Sequence, residues 1–226
     1  MQQESYQLIE PMLHGKGVYP TAAQQARIER FVELIVHWNR SINLVGDVER
    51  IYSRHILDCL MLEALPWPEG ALEILDTGSG AGLPGVLVAV MHPLCQVTSL
   101  DTVSKKATFQ QVAAHDLQLD NFTPRRMDVH SLAAGEGQGR YDLMLARAMA
   151  GLDTLLGLGA ELLRPGGRLW AMKGAKLEAE QKALRPEWLE SFEPDCERFD
   201  YEFPEFGGGG VIAMYRKRAE APTAAR

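Results

Sequence analysis

Residues 73–86 read Glu-Ile-Leu-Asp-Thr-Gly-Ser-Gly-Ala-Gly-Leu-Pro-Gly-Val, and no other run constrains the possible folds as tightly. Ile74 and Leu75 suit a central buried strand, and the apolar run from Val86 to Val90 suits a helix packed on a sheet. Between them, Gly78, Gly80 and Gly82 permit a sharp turn and let a ligand touch backbone where a Cβ would collide. Pro84 fits an early helical position, where its missing donor would have been orphaned anyway. The spacing is Gly78-x-Gly80-x-Gly82, not the G-x-G-x-x-G of a dinucleotide site. The run therefore predicts a strand–turn–helix unit built to hold a ligand.

From Leu72 onward, apolar runs and helical patterns alternate, the mark of a parallel sheet covered on both faces. Strands are expected near 73–77, 96–101, 122–127, 142–147 and 167–173, with helices at 84–91, 104–117, 153–163 and 175–184. Phe192, Phe199, Tyr201, Phe203 and Val211 to Tyr215 suggest two more strands, with Gly207–Gly210 between them. The first seventy residues read as helices. Thr21-x-x-Gln24 is a capping box, and Ile28, Phe31, Leu34, Ile35 and Trp38 recur at helical spacing. A further helix is expected from about Glu49 to Leu65, ended by Pro66 and Pro68. The expected division is 1–70 as a helical extension, 71–218 as the core and 219–226 as a frayed tail.

Asp76 precedes the first glycine, where a carboxylate can receive an ammonium group. Asp101 ends the second strand about 20 residues beyond Gly78, a place from which an acid accepts hydrogen bonds from ribose hydroxyls. It is equally suited to capping the next helix. A D-x-G-x-G-x-G turn looks like the first motif of Rossmann-like methyltransferases, whose cofactor S-adenosylmethionine has an amino-acid end and no pyrophosphate.

The chain has 226 residues and a formal net charge of −7, which argues against nucleic-acid binding through bulk charge but allows a local basic face. Lys105-Lys106, Arg125-Arg126 and Arg216-Lys217-Arg218 are short basic clusters of the kind that are mostly solvated faces. Cys59, Cys95 and Cys196 form no C-x-x-C pair, so no metal site or disulfide is expected and a reducing cytoplasm is the expected setting. No signal peptide and no membrane span are expected, since no apolar run approaches the roughly 20 residues that cross a bilayer.

Trp38-Asn39-x-x-x-Asn43-Leu44, Arg54-His55-x-x-Asp58, the Leu83-Pro84-Gly85 that follows the turn, Leu143-x-x-Ala146-Arg147-Ala148, Arg164-Pro165-Gly166-Gly167 and Lys173-Gly174 occur together in this order. The combination closely resembles the bacterial 16S ribosomal RNA guanine-N7 methyltransferase family, also called glucose-inhibited division protein B, over nearly the whole chain. The chain departs from the family in having Cys59 after the helix aspartate, often a serine, and the Gly207–Gly210 run where polar or basic residues are usual. The resemblance implies an α/β, Rossmann-like class I methyltransferase with a seven-stranded, mostly parallel sheet and an N-terminal helical extension. It implies S-adenosylmethionine as cofactor and 16S ribosomal RNA or a small-subunit particle as partner, with methylation at guanine N7 in the decoding-region 530 loop.

By the same resemblance, Gly78 and Leu83 would sit against the methionine and adenosine parts of the ligand. Met127 and Asp128 would flank and hydrogen-bond the adenine. Arg147 would reach the ligand pocket or the substrate base, and with Lys173 it is a catalytic candidate. Asn43, Arg54, His55 and Lys173 are the RNA-binding candidates. Read from residue type alone, Met127 also suits core packing and Asp128 a turn-stabilising role. Arg54 and Asp58 also suit an i, i+4 surface ion pair.

Guanine N7 presents a free lone pair, so in-line transfer needs no general base and no covalent intermediate, and catalysis reduces to alignment and desolvation. The sequence has no Pro-Cys nucleophile pair and no Pro-Pro-aromatic motif, which cytosine-C5 and amino-directed enzymes use. Other readings are a small-molecule methyltransferase, a non-catalytic S-adenosylmethionine- and RNA-binding assembly module, and a nicotinamide-dependent oxidoreductase, which the glycine spacing disfavours.

Overall fold

Successive residues of the strands face opposite ways, and the chain uses both faces. Ile74, Leu143, Leu145 and Trp170 enter one apolar cluster, while Leu75, Met144, Leu169 and Ala171 enter a second. A strand buried on both sides belongs at the centre of a covered parallel sheet. The computed structural model describes residues 4–219; the tail expected over 219–226 lies outside them except for Ala219. Strands β1 (Glu73–Thr77), β2 (Gln96–Asp101), β3 (Phe122–Arg126), β4 (Tyr141–Arg147), β5 (Leu163–Lys173), β6 (Glu197–Phe203) and β7 (Gly208–Arg216) form one sheet in the order β3-β2-β1-β4-β5-β7-β6. Neighbours from β3 to β5 pair in parallel, and β7 runs antiparallel to β5 and β6. This is the mixed seven-stranded sheet that the sequence predicts. Pro124 sits in edge strand β3, where a missing donor is tolerated.

The helices are α1 (Tyr6–Gly15), α2 (Ala22–Asn39), α3 (Leu57–Leu60), α4 (Gly85–Met91), α5 (Ser104–Asp116), α6 (Val129–Ala133), α7 (Leu152–Leu162), α8 (Leu177–Lys182) and α9 (Pro186–Ser191). The capping box forms at α2: the Gln24 N–H donates to Thr21 Oγ1 and the Thr21 N–H to Gln24 Oε1. Helix α2 packs on α5 through Phe31 and Trp38, whose rings lie 6.2 and 5.7 Å from Phe109. One apolar cluster therefore joins the N-terminal helices to the sheet.

Two local expectations are corrected and one helix is added. The helix expected over 49–65 is broken into a 3₁₀ turn (Val48–Arg50), a π turn (Tyr52–Ile56), α3 and a second 3₁₀ turn (Met61–Ala64). The helix expected over 175–184 is α8, and a further helix that was not expected, α9, opens on Pro186. The glycine run is not merely a linker. Gly207 turns the chain in the left-handed region, while Gly208, Gly209 and Gly210 lie in β7 opposite Phe203, Glu202 and Tyr201. At Gly209 and Gly210 the strands approach closely: a Cβ on Gly210 would lie 2.7 Å from the Tyr201 hydroxyl, whereas one on Gly208 would meet nothing.

Candidate active site

Strand order reverses between β1 and β4, and open α/β sheets bind ligands beyond the carboxyl ends of the strands at such a point. The glycine turn leaves β1 there. Gly78, Gly80 and Gly82 all have left-handed backbones, and a Cβ on Gly78 would meet Met149 Cγ at 2.5 Å. Beneath the turn lies a buried polar network. The Ser99 hydroxyl donates to Gln110 Oε1 at 2.8 Å, and the Gln110 amide donates to Ser79 Oγ and the Gly80 carbonyl, both at 2.9 Å. Satisfied buried networks fix one geometry, because any alternative leaves a polar group orphaned.

Asp101 clamps the turn from β2, accepting from the Gly80 N–H at 2.9 Å on one oxygen and the Val103 N–H at 2.7 Å on the other. Gly78, Asp101, Met127, Asp128 and Met149 line a cavity of about 160 Å³ at this edge. Four residues singled out in the sequence thus converge on one concavity. The turn-stabilising reading of Asp128 holds as well: its Oδ1 accepts from the His130 and Ser131 N–H groups and caps α6. Asp76 points elsewhere. Its carboxylate is wholly buried, accepts from the Gly85 N–H at 2.8 Å and lines neither cavity described here. Burial raises its pKa to about 7 against the opposing Gly85 bond. Its other oxygen, Oδ1, has no hydrogen-bond partner among the described residues.

A second cavity, of about 520 Å³, adjoins the first across Met149 and is lined by Arg147, Asp58, Tyr201, Lys173 and Glu180 among others. Arg147 ends β4 and is followed by Ala148, whose φ of +52° is strained for a residue with a Cβ. Its Nε donates to Asp58 Oδ2 at 2.9 Å, and its Nη2 donates to His55 Nδ1 at 2.9 Å and the Arg54 carbonyl at 3.4 Å. Tyr201, from β6, donates its hydroxyl to the other oxygen of Asp58. Burial and the neighbouring carboxylate push the Tyr201 pKa far up, so it stays a donor.

The His55 ring is held at both nitrogens. Its Nε2 lies 2.9 Å from the Gly46 carbonyl, which accepts only, so Nε2 carries the proton and Nδ1 accepts from Arg147. Burial lowers the His55 pKa and the adjacent guanidinium lowers it further, against the Gly46 bond. The imidazole is neutral.

The expected Arg54–Asp58 pair does not form. Asp58 is taken by Arg147 and Tyr201, and half-exposed Arg54 comes within 3.9 Å of Asp47 instead. The π turn over Tyr52–Ile56 takes these two residues out of regular i, i+4 register. Lys173 is likewise already engaged, donating to the Ala150 carbonyl at 2.6 Å and Glu180 Oε2 at 2.8 Å, while Glu180 also accepts from the Leu152 N–H. Lys173 and Glu180 thereby tether the 148–152 segment that carries Met149.

The Leu83 side chain is buried in the apolar cluster below the turn and lines neither cavity. Asn43 and Arg54 are exposed outside both cavities. Sequence reasoning missed Tyr201, Glu180, Met149 and the Ser79–Ser99–Gln110 network as parts of the site. A glutamine on an otherwise core-facing helix position was the available signal for Gln110. No group of three or more His, Cys, Asp or Glu side chains suited to a metal ion occurs among the described residues. No described helix is long and apolar enough to cross a membrane.

The family model described as rRNA small subunit methyltransferase G, GidB, matches residues 24–195. A ribosomal RNA small subunit methyltransferase G from Aromatoleum aromaticum is 41% identical over 172 residues, 74% of this chain and 79% of the relative. Its counterpart in Halorhodospira halophila is 34% identical over 213 residues, 93% of this chain and 96% of the relative. Among solved structures, a predicted O-methyltransferase from Agrobacterium tumefaciens superimposes with a TM-score of 0.54 at 20% identity, covering 69% of this chain and 78% of its own. TrmN from Thermus thermophilus gives 0.52 at 23% identity, over 72% and 48%. The [4+2]-cyclase SpnF gives 0.53 at 15% identity, over 89% and 98%. At such identities structural likeness speaks for the fold alone, which hosts more than one chemistry.

Proposed function

The chain belongs to the rRNA small subunit methyltransferase G family, and from that premise we propose that it transfers a methyl group from S-adenosylmethionine to N7 of a guanine in the 530 loop of 16S ribosomal RNA. The observation that carries this reading is the pair of cavities meeting at Met149, beyond the ends of β1 and β4. The smaller suits an adenosyl group: Gly78 leaves no room for a Cβ, Met127 offers an apolar wall, and Asp101 and Asp128 offer acceptors for hydroxyl and amino donors. The larger suits a base, with Arg147 as a planar donor and Met149 as the shared wall. When bound, the cofactor supplies a methyl carbon activated by a positively charged sulfur.

The remaining demands fall on the chain. N7 carries no proton, so none of these residues has to remove one, and neutral His55 with both nitrogens engaged fits that requirement. The tethered 148–152 segment would hold Met149 against the glycine turn and exclude water from the junction. Alignment of this kind contributes several kcal/mol to a displacement in which two partners must meet in line.

An acidic chain needs local cations to hold RNA. Lys105 and Lys106 open α5, Arg126 ends β3 and Lys176 lines the larger cavity; none of the four has a carboxylate partner among the described residues. With Arg54 and Asn43 they would form a positive rim that follows the phosphate backbone. Residues 1–70 would act as the substrate-side lid, since Asp58 reaches the larger cavity from that segment and His55 bonds Arg147 behind it.

The test is methyl transfer from labelled cofactor to small-subunit RNA, and to particles that lack the modification. Label on the RNA supports the reading. Calorimetric binding of S-adenosylmethionine with no label on any RNA overturns the substrate, and label on a metabolite pool instead moves the acceptor to a small molecule.

A further inference from the structure

Tyr201 and Asp58 are 143 residues apart in sequence, yet the Tyr201 hydroxyl bonds one Asp58 oxygen while Arg147 Nε bonds the other. We propose that Tyr201 and Asp58 are positioning residues for methyl transfer, holding the Arg147 guanidinium so that its Nη1 edge faces the larger cavity as a fixed, charge-compensated donor. This rests on the guanine-N7 reading above and specifies how the site meets the purine.

The count of donors gives the orientation. A guanidinium has five N–H groups. In Arg147, Nε and both hydrogens of Nη2 go to Asp58, His55 and the Arg54 carbonyl, whereas Nη1 has no acceptor among the described residues. Rotation about the guanidinium plane would break three bonds at once. Arg147, Asp58 and Tyr201 all line the same cavity.

The chemistry gives a reason for this arrangement. An arginine meeting a guanine edge commonly takes O6 and N7 together. Transfer to N7 requires its lone pair free, so a productive arginine has to reach O6 alone. A donor fixed with one free edge does this, and a freely swinging one competes with the methyl group. As N7 gains the methyl group the purine gains positive charge, and a bare guanidinium beside it would raise the energy of that state. The Asp58 carboxylate, held by Tyr201, offsets that charge without removing the donor.

Two glycines of the 207–210 run serve the same contact. A Cβ on Gly210 would lie 2.7 Å from the Tyr201 hydroxyl, and one on Gly209 2.6 Å from the Tyr201 carbonyl oxygen. Bare backbone in β7 is what lets Tyr201 lie flat enough to reach Asp58.

The experiment measures single-turnover methyl transfer with saturating cofactor and RNA, together with the Kd of each. Tyr201→Phe removes one hydroxyl and leaves the ring in place. It is expected to lower the rate by about tenfold with both Kd values within about twofold of wild type. Arg147→Ala is expected to regain activity when guanidinium ion is added, and Arg147→Ala/Asp58→Asn is not, because the carboxylate that seats the added ion is gone. A Tyr201→Phe rate within about twofold of wild type, or equal rescue in the two alanine proteins, overturns the inference while leaving the guanine reading intact. A wild-type chain that binds cofactor but methylates no RNA overturns the reading itself and the inference with it.

Discussion

Asp101 does two tasks with one carboxylate. It fixes the glycine turn through Gly80, and it faces the smaller cavity with lone pairs still available. Asp101→Ala is predicted to raise the cofactor Kd by at least about tenfold, about 1.4 kcal/mol, measured by calorimetry; an unchanged Kd contradicts the placement of the ribose. Asp76 yields a prediction about pH. Its folded pKa is about 7, against 3.8 for the free side chain. The folded chain therefore keeps a proton that the unfolded chain gives up, and this group's contribution to stability declines as pH rises from about 4 through 7. Asp76→Asn cannot ionise, so its urea midpoint should fall less than that of wild type between about pH 5 and pH 8; parallel curves would refute the assignment. Asp101 was legible in the sequence because a strand tip and a spacing define it. The inward turn of Asp76 was not, since residue type does not reveal which side of the turn a carboxylate takes.

Among the elements, β1 and β4 were legible because Ile74 and Leu75, or Leu143 and Met144, are apolar on adjacent positions and therefore demand cover on both faces. The break in the 48–64 segment was not legible, because Ile51, Tyr52, Ile56, Leu57 and Leu60 fit a helical period whether the turn is α or π. That π turn holds Arg54 and His55 beside the Arg147 network, and the segment is anchored from outside. Glu4 accepts from the Ser53 N–H at 2.9 Å and from its hydroxyl at 2.6 Å. Glu4→Ala is predicted to cost about 1–2 kcal/mol, the scale of a lost cap, and to lower Tm by about 2–8 °C. An unchanged melting curve would show that the anchor contributes nothing. Strand β7 gives a second case. Gly210→Ala is predicted to reproduce the rate defect of Tyr201→Phe and to add a stability loss of about 1–3 kcal/mol from overpacking, read by urea unfolding. Glycine runs suggest loops by composition, and only the pairing with β6 exposes the close approach. Likewise Arg147 and Asp58 are 89 residues apart, a distance over which no local pattern carries information.

The whole molecule carries a net charge of −7, yet it presents unpaired cations where the sheet's strands end. That opposition predicts that RNA affinity depends on a few named lysines and falls steeply with salt. Replacing Lys105 and Lys106 together with glutamate should weaken RNA binding by at least about tenfold at low salt, with the cofactor Kd unchanged, as read by filter binding and calorimetry. Loss of both affinities would place the lysines in the fold of the glycine turn instead. The identity of the methylated atom separates guanine-N7 transfer from every other reaction. RNA lacking the modification is incubated with the chain and S-adenosylmethionine, digested to nucleosides and mapped by cleavage at methylated guanine. 7-Methylguanosine is expected at a single position in the 530 loop, and its loss in Arg147→Ala protein that still binds cofactor. Methyl groups on another base, on an exocyclic nitrogen, or scattered over many guanines would contradict it.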